Sequence, residues 1–209
     1  MKLKHGVYKL IGLLVLGLIG YFIFKSSNDS SETLVEKIIK IGQQKEVGQE
    51  VDNFNGVSVY YNGGVGTVIG RNTTSDGYNI GLKYQCVEFV KRYYYEHLNH
   101  KMPESYGHAK DFFDKRLADG QRNAPRNLTQ YKNPSKSKPK VHDLLIFDKT
   151  AFNPYGHVAI ISKVSGNEIE LIQQNPGPFG KSRETIRLEN KNGNWKIDRR
   201  LILGWLRKE

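Results

Sequence analysis

The chain has a single cysteine, Cys86, among 209 residues, so it can form no internal disulfide, Cys₄ zinc site or iron–sulfur cluster. Methionine and tryptophan are scarce, at two each, and 7 prolines with 21 glycines exclude a collagen-like or disordered composition. Acidic residues are in deficit, 21 against 32 lysines and arginines, which leaves a formal charge of +11. A mean hydropathy of -0.57 excludes a multi-span membrane protein. What remains is 23.9 kDa with 38% hydrophobic residues, enough for one cored domain and an appendage.

The positive charge is unevenly placed. Residues 1–25 hold four lysines and no acid, and between Lys9 and Lys25 run 15 uncharged, mostly apolar residues, Leu10–Phe24. Starting at Val7, with Lys9 snorkelling, the stretch 7–24 is long enough to span a bilayer. A cleaved signal peptide shares this basic start, but Lys25-Ser26-Ser27-Asn28-Asp29 lacks a small-residue cleavage pattern and a cysteine for lipid attachment. Residues 1–25 therefore predict an uncleaved transmembrane signal anchor. Three lysines before the apolar run Leu10–Phe24 against one directly after it set the N-terminus in the cytoplasm. The protein is then single-pass in the inner membrane, with residues 26–209 on the periplasmic, extracytoplasmic side.

Residues 26–44 read as a polar linker followed by a short amphipathic helix carrying Leu34, Val35, Ile38, Ile39 and Ile41. Residues 45–209 form the main domain. Val57–Tyr60 alternates as a strand does, Cys86 to about Leu98 has helical spacing, and Phe112, Phe113 and Leu117 suggest another short helix. Residues 120–140 read as a long basic loop. Strands are expected at 144–148, 157–164, 168–173, 185–188 and 201–206, with hairpin turns at Ser165-Gly166-Asn167 and Asn192-Gly193. Helices first and strands after predict an α+β domain, N-terminal helices packed on a largely antiparallel β-sheet.

Cys86 sits where loop becomes helix, facing unpaired N–H groups and the positive end of the helix dipole. Both favour thiolate and predict a lowered pKa, and the same N–H groups suit an oxyanion. A lone cysteine is otherwise a small buried hydrophobe, so its partner decides. Of six histidines, His157 alone opens an apolar strand, Val158-Ala159-Ile160-Ile161, which would hold its ring as rigidly as a general base requires. Gln173-Gln174-Asn175 ends the next strand, and a hairpin returns it beside His157 to orient the imidazole.

Tyr84–Phe89 (Tyr-Gln-Cys-Val-Glu-Phe), Gly156–Ile161 (Gly-His-Val-Ala-Ile-Ile) and Gln173–Asn175 resemble the CHAP family. These are cysteine, histidine-dependent amidohydrolases/peptidases of papain-like fold. Within the family the likeness is greatest to the amidase domain of glutathionylspermidine synthetase/amidases. Gly56-Val57, Tyr60, Asp143–Asp148 and Ile202–Trp205 add matches in the right order, from about Gln49 to Leu206. The resemblance implies that Cys86 is the nucleophile, His157 the base, and the Cys86 N–H part of an oxyanion hole. It places Tyr84, Gln85 and Lys91 at the substrate, and calls for no cofactor or metal.

Two departures stand out. The family carries an acid where Gln173 stands, so Gln173 or Asn175 must orient His157 by an amide, expected at the ring's Nδ1–H. Lys91 replaces an arginine five residues after the nucleophile and loses its bidentate fork. Residues 110–140 hold nine basic and three acidic residues, and as a loop over the cleft they would favour an anionic polymer such as peptidoglycan. The expected function is amide hydrolysis in cell-wall peptidoglycan through an acyl-thioester. The alternatives are a glutathionylspermidine-type small-molecule amidase and a catalytically weak wall-binding module. Nucleic acid is not expected as a partner, since Tyr93-Tyr94-Tyr95 on a helix point in three directions.

Overall fold

The computed structural model describes residues 45–209; the anchor expected at 1–25 and the linker and helix at 26–44 lie outside the described residues. Among the described residues no helix is long and apolar enough to cross a membrane.

The domain starts with two small hairpins. Asn55 and Gly56, at φ 52° and 83°, make the turn that joins β1 (Glu50–Phe54) to β2 (Val57–Tyr60). A second antiparallel pair, β3 (Arg71–Thr73) and β4 (Asn79–Leu82), leads through a turn closed by Gln85 N–H on the Leu82 carbonyl. Helix α1 (Cys86–Glu96) begins at once, with Gln85 as its extended cap. Its Phe89, Val90, Tyr93 and Tyr94 are buried, as the apolar spacing requires.

The rest is sheet: β5 (Gln121–Asn123), β6 (Leu128–Lys132), β7 (Leu144–Phe147), β8 (His157–Ser165), β9 (Glu168–Ile172), β10 (Arg183–Lys191), β11 (Asn194–Ile197) and β12 (Ile202–Arg207). These eight strands form one antiparallel sheet in the order β11-β10-β9-β8-β7-β12-β6-β5. The strand period of two sorts its side chains into two cores. Leu144, Ile146, Val158, Ile160 and Ile172 pack with α1, while Leu145, Phe147, Ala159, Ile161 and Trp205 face the other way. β7 is thus buried on both faces, which is why it reads as an unbroken apolar run. The second core is enclosed by the sheet itself. Trp195 on β11 and Ser135 beyond β6 exchange N–H···O bonds of 3.0 and 2.7 Å, so the sheet curls until its two ends meet. Residues Lys45–Glu209 form one compact unit containing both cores, and so make a self-sufficient folding unit.

The domain is mostly β, compatible with an α+β class, but several expectations need correction. The expected set of helices reduces, among the described residues, to α1 and a 3-10 turn at Ala109–Phe112. While 133–140 carries no helix or strand apart from a bridge at Ser135, the segment 121–132 is not a loop over the cleft. It forms β5 and β6 at the end of the sheet away from β8, fixed by buried Gln130, whose amide bonds both the N–H (2.9 Å) and the carbonyl (2.8 Å) of Asp114. The charge of the wider basic segment 110–140 is also partly consumed. Lys115 pairs with Asp148, Arg116 with Asp114, and Arg126 is buried over the Phe112 ring.

Candidate active site

Cys86 opens α1, partly exposed, and is the only thiol in the chain. Burial pushes the thiol above its ordinary value, while the backbone N–H groups of Val158, Val87 and Cys86 itself pull the other way. The lowered pKa expected from the helix terminus is therefore corrected: desolvation exceeds what the N–H groups return. At neutral pH the group rests as a thiol. Val158 directly follows His157, so the strand that carries the imidazole also acts on the sulfur.

His157 is placed by its neighbours on both sides. It opens β8 in register with Phe147. Before it, Gly156 sits at φ 74°, where a Cβ would stand 2.6 Å from the Phe147 carbonyl oxygen and 2.9 Å from Lys110 Cβ. Only glycine fits there. The imidazole Nε2 lies 2.9 Å from Gln173 Oε1. The Gln173 amide nitrogen donates to the Lys181 carbonyl at 3.0 Å, which fixes the oxygen end toward the ring. Nε2 must then carry the proton, leaving Nδ1 as the base nitrogen. Gln173 therefore holds Nε2–H rather than the Nδ1–H expected. Burial lowers His157 to about 4; the Gln173 bond opposes this, and the nearby Arg199 charge adds to it. The ring is neutral at pH 7.

Asn175 has no bond to His157 among the described residues. At φ 51°, it donates to Gln85 Oε1 (2.7 Å) and to the Val65 carbonyl (2.9 Å). The Gln85 amide nitrogen donates in turn to the carbonyls of Thr67 (2.9 Å) and Val65 (3.3 Å). Both donor hydrogens are taken, so this side chain secures the 62–68 loop beside the nucleophile. Tyr84 is half-buried, its ring tilted on Tyr60 at 5.0 Å. Lys91 lies apart from these residues, 1% exposed, with its ammonium on the carbonyls of Asn79 and Ser105 and 4.7 Å from the Tyr78 ring centre. Burial, then the charges of Arg126 and Arg71, lower it to about 7. It holds β4 to the segment around Ser105 and presents no charge at the surface.

The residue between Gln173 and Asn175 was not among those expected at the site. Gln174 is fully buried; its oxygen accepts Tyr60 N–H (2.7 Å), and its nitrogen donates to the Gln85 carbonyl (3.0 Å) and Glu88 Oε2 (2.8 Å). Glu88, itself buried, also accepts from Asn72 (2.8 Å) and pairs with Arg92 (2.8 Å). This network binds β2, β3 and the end of β9 to the first turn of α1, and so positions Cys86. The signal available was strand alternation: Gln173 and Gln174 must point to opposite faces.

Thiol and imidazole are not hydrogen-bonded to each other among the described residues; contacts of this kind tighten when substrate binds. Residues 75–175 match the family model of the CHAP domain. This stretch is a CHAP domain. It contains Cys86, His157, Gln173, Gln174 and Asn175, whereas Tyr60, Val65 and Thr67, which brace them, lie upstream of it. The chain is 34% identical over 149 residues to the bifunctional glutathionylspermidine synthetase/amidase of Escherichia coli (strain K12), covering 65% of this chain and 23% of that protein. It is 27% identical over 148 residues to the trypanothione synthetase of Crithidia fasciculata, covering 66% and 22%. The chain thus spans less than a quarter of the length of these relatives. Among solved structures, the crystal structure of Ly7917 aligns at a TM-score of 0.31 and 17% identity, over 59% of this chain and 53% of that one. The CHAP domain and these relatives support an amidohydrolase family.

Proposed function

We propose that the protein hydrolyses amide bonds through an acyl-thioester on Cys86, in the peptide part of cell-wall peptidoglycan. The observation that carries the mechanism is the single tautomer imposed on His157 by Gln173, on a strand whose next N–H acts on the Cys86 sulfur. His157 Nδ1 takes the thiol proton as sulfur attacks the carbonyl carbon. The N–H of Cys86, at the open end of α1, receives the developing oxyanion. The imidazolium then gives its proton to the departing amine, leaving a thioester. Water, deprotonated by the same nitrogen, releases the acid and the thiol.

The substrate reading rests on the apolar run 10–24 with its lysine flanks, which would anchor the enzyme in the inner membrane and hold residues 26–209 on the extracytoplasmic side. Most of the basic segment 110–140 no longer supports it, because β5 and β6 lie at the end of the sheet away from β8; Lys110, whose N–H bonds the Tyr155 carbonyl, is the part that stays beside His157. A small-molecule amidase of the glutathionylspermidine kind is the second reading, supported by the relatives' names. Incubation of residues 45–209 with muropeptides and with glutathionylspermidine, beside Cys86→Ala, separates the two. Turnover of muropeptides alone supports the first reading. Turnover of glutathionylspermidine alone overturns it, and turnover of neither points to a wall-binding module.

A further inference from the structure

Phe152 is 100% exposed and Phe179 97%. Phe152 lies in the loop joining β7 to β8, Phe179 in the loop joining β9 to β10. In the antiparallel order β10-β9-β8-β7 these two loops leave the same edge of the sheet, about two strand spacings, roughly 10 Å, apart. It is the edge from which His157 and Gln173 project. The exposure is built into stiff turns. Thr150 Oγ1 accepts the N–H groups of Phe152 (3.2 Å) and Asn153 (2.9 Å), and Thr150 N–H closes on the Asn153 carbonyl at 2.9 Å. Phe179 follows Pro178 inside a turn closed by Gly180 N–H on the Gly177 carbonyl (3.2 Å). Gly180 packs so closely on Pro176 that a Cβ would stand 2.5 Å from the proline ring.

A third loop completes the rim. Val65, whose carbonyl is bonded by Asn175 and Gln85, leads to Val68 and Ile69, 57% and 53% exposed. Lys149 and Lys181, both exposed and in no ion pair among the described residues, flank the two phenylalanines. A ring meant to stack on a rigid substrate is ordinarily backed on one face by the protein. Rings wet on every side, on rigid tips beside lysines, suit a medium that surrounds them and carries negative charge.

We propose that Phe152 and Phe179 insert into an anionic lipid surface and dock the catalytic edge of the domain against it. The lipid is a partner and not the substrate, so the docking is independent of Cys86 chemistry and of the expected span at 7–24. The test uses residues 45–209 in co-sedimentation with vesicles of phosphatidylglycerol or of phosphatidylcholine. The domain is expected to pellet with phosphatidylglycerol, and the double variant Phe152→Ser/Phe179→Ser to bind at least about 30-fold more weakly. Its melting temperature should be unchanged, because both rings lie in solvent. Failure of the unaltered domain to pellet, or equal pelleting of the double variant, would overturn the proposal. So would a double variant that keeps vesicle binding and loses binding to purified peptidoglycan, which would assign the tips to the substrate cleft.

Discussion

Gln173 grips the Nε2 side of His157 at 2.9 Å while the Lys181 carbonyl grips Gln173 at 3.0 Å, so one backbone carbonyl fixes which imidazole nitrogen can act as base. Gln173→Ala should lower kcat about 10- to 100-fold, the scale of a lost buried hydrogen bond, with little change in KM. Gln173→Glu should raise the His157 pKa and move the acid limb of kcat/KM to higher pH. Steady-state kinetics across pH 4–8 reads both outcomes.

With burial holding His157 at about 4, the base form persists well below the ordinary imidazole range. The acid limb of activity should fall near pH 4 rather than near 6.5. Stability follows the same group. The unfolded chain takes the proton near 6.5 and the folded chain near 4, so the contribution is full above 6.5 and is lost as pH falls toward 4. Urea denaturation between pH 4 and 7 should show this slope, and His157→Gln should flatten it. Because the thiol is raised, alkylation of Cys86 by iodoacetamide should climb into the alkaline range without a thiolate plateau below pH 7.

Lys91 titrates at about 7 in the folded domain against 10.5 when free. Between those values the unfolded chain binds a proton that the folded chain does not, so stability should rise with pH across that window. Lys91→Met should abolish the rise in pH-dependent unfolding and leave kcat/KM within about twofold, since the side chain is turned to Asn79 and Ser105. A large increase in KM would instead place the ammonium at the substrate.

Gln174→Leu removes the partners of Tyr60 N–H, the Gln85 carbonyl and Glu88 in a single change. A loss of about 3 kcal/mol is expected in chemical denaturation, with kcat reduced because the first turn of α1 is released.

The sequence disclosed the parts of the fold whose periodicity is strong. The buried face of α1, the apolar runs of β7 and β8, and the turns at Gly166 and Asn192-Gly193 all announced themselves. β5 and β6 were hidden because prolines and basic residues surround them, and their ordering comes from Gln130 and Asp119, polar residues with distant partners. β1, β3, β4 and β11 are short, three to five residues with no apolar run, and pairing rather than pattern makes them strands. At the site, residue types marked Cys86, His157 and Gln173. The division of labour between Gln173, Gln174 and Asn175 was not legible, because neighbours in sequence face three different partners. Nor was the raised thiol pKa, which depends on how deeply α1 buries its first residue.

In the proposed reaction Cys86 carries the acyl group between two half-reactions. Intact-mass spectrometry of residues 45–209, quenched in acid during turnover of a muropeptide amide, tests it most directly. A transient adduct equal to the acyl portion is expected, mapped to Cys86 and absent from Cys86→Ala. Amide hydrolysis that continues in Cys86→Ala would contradict it.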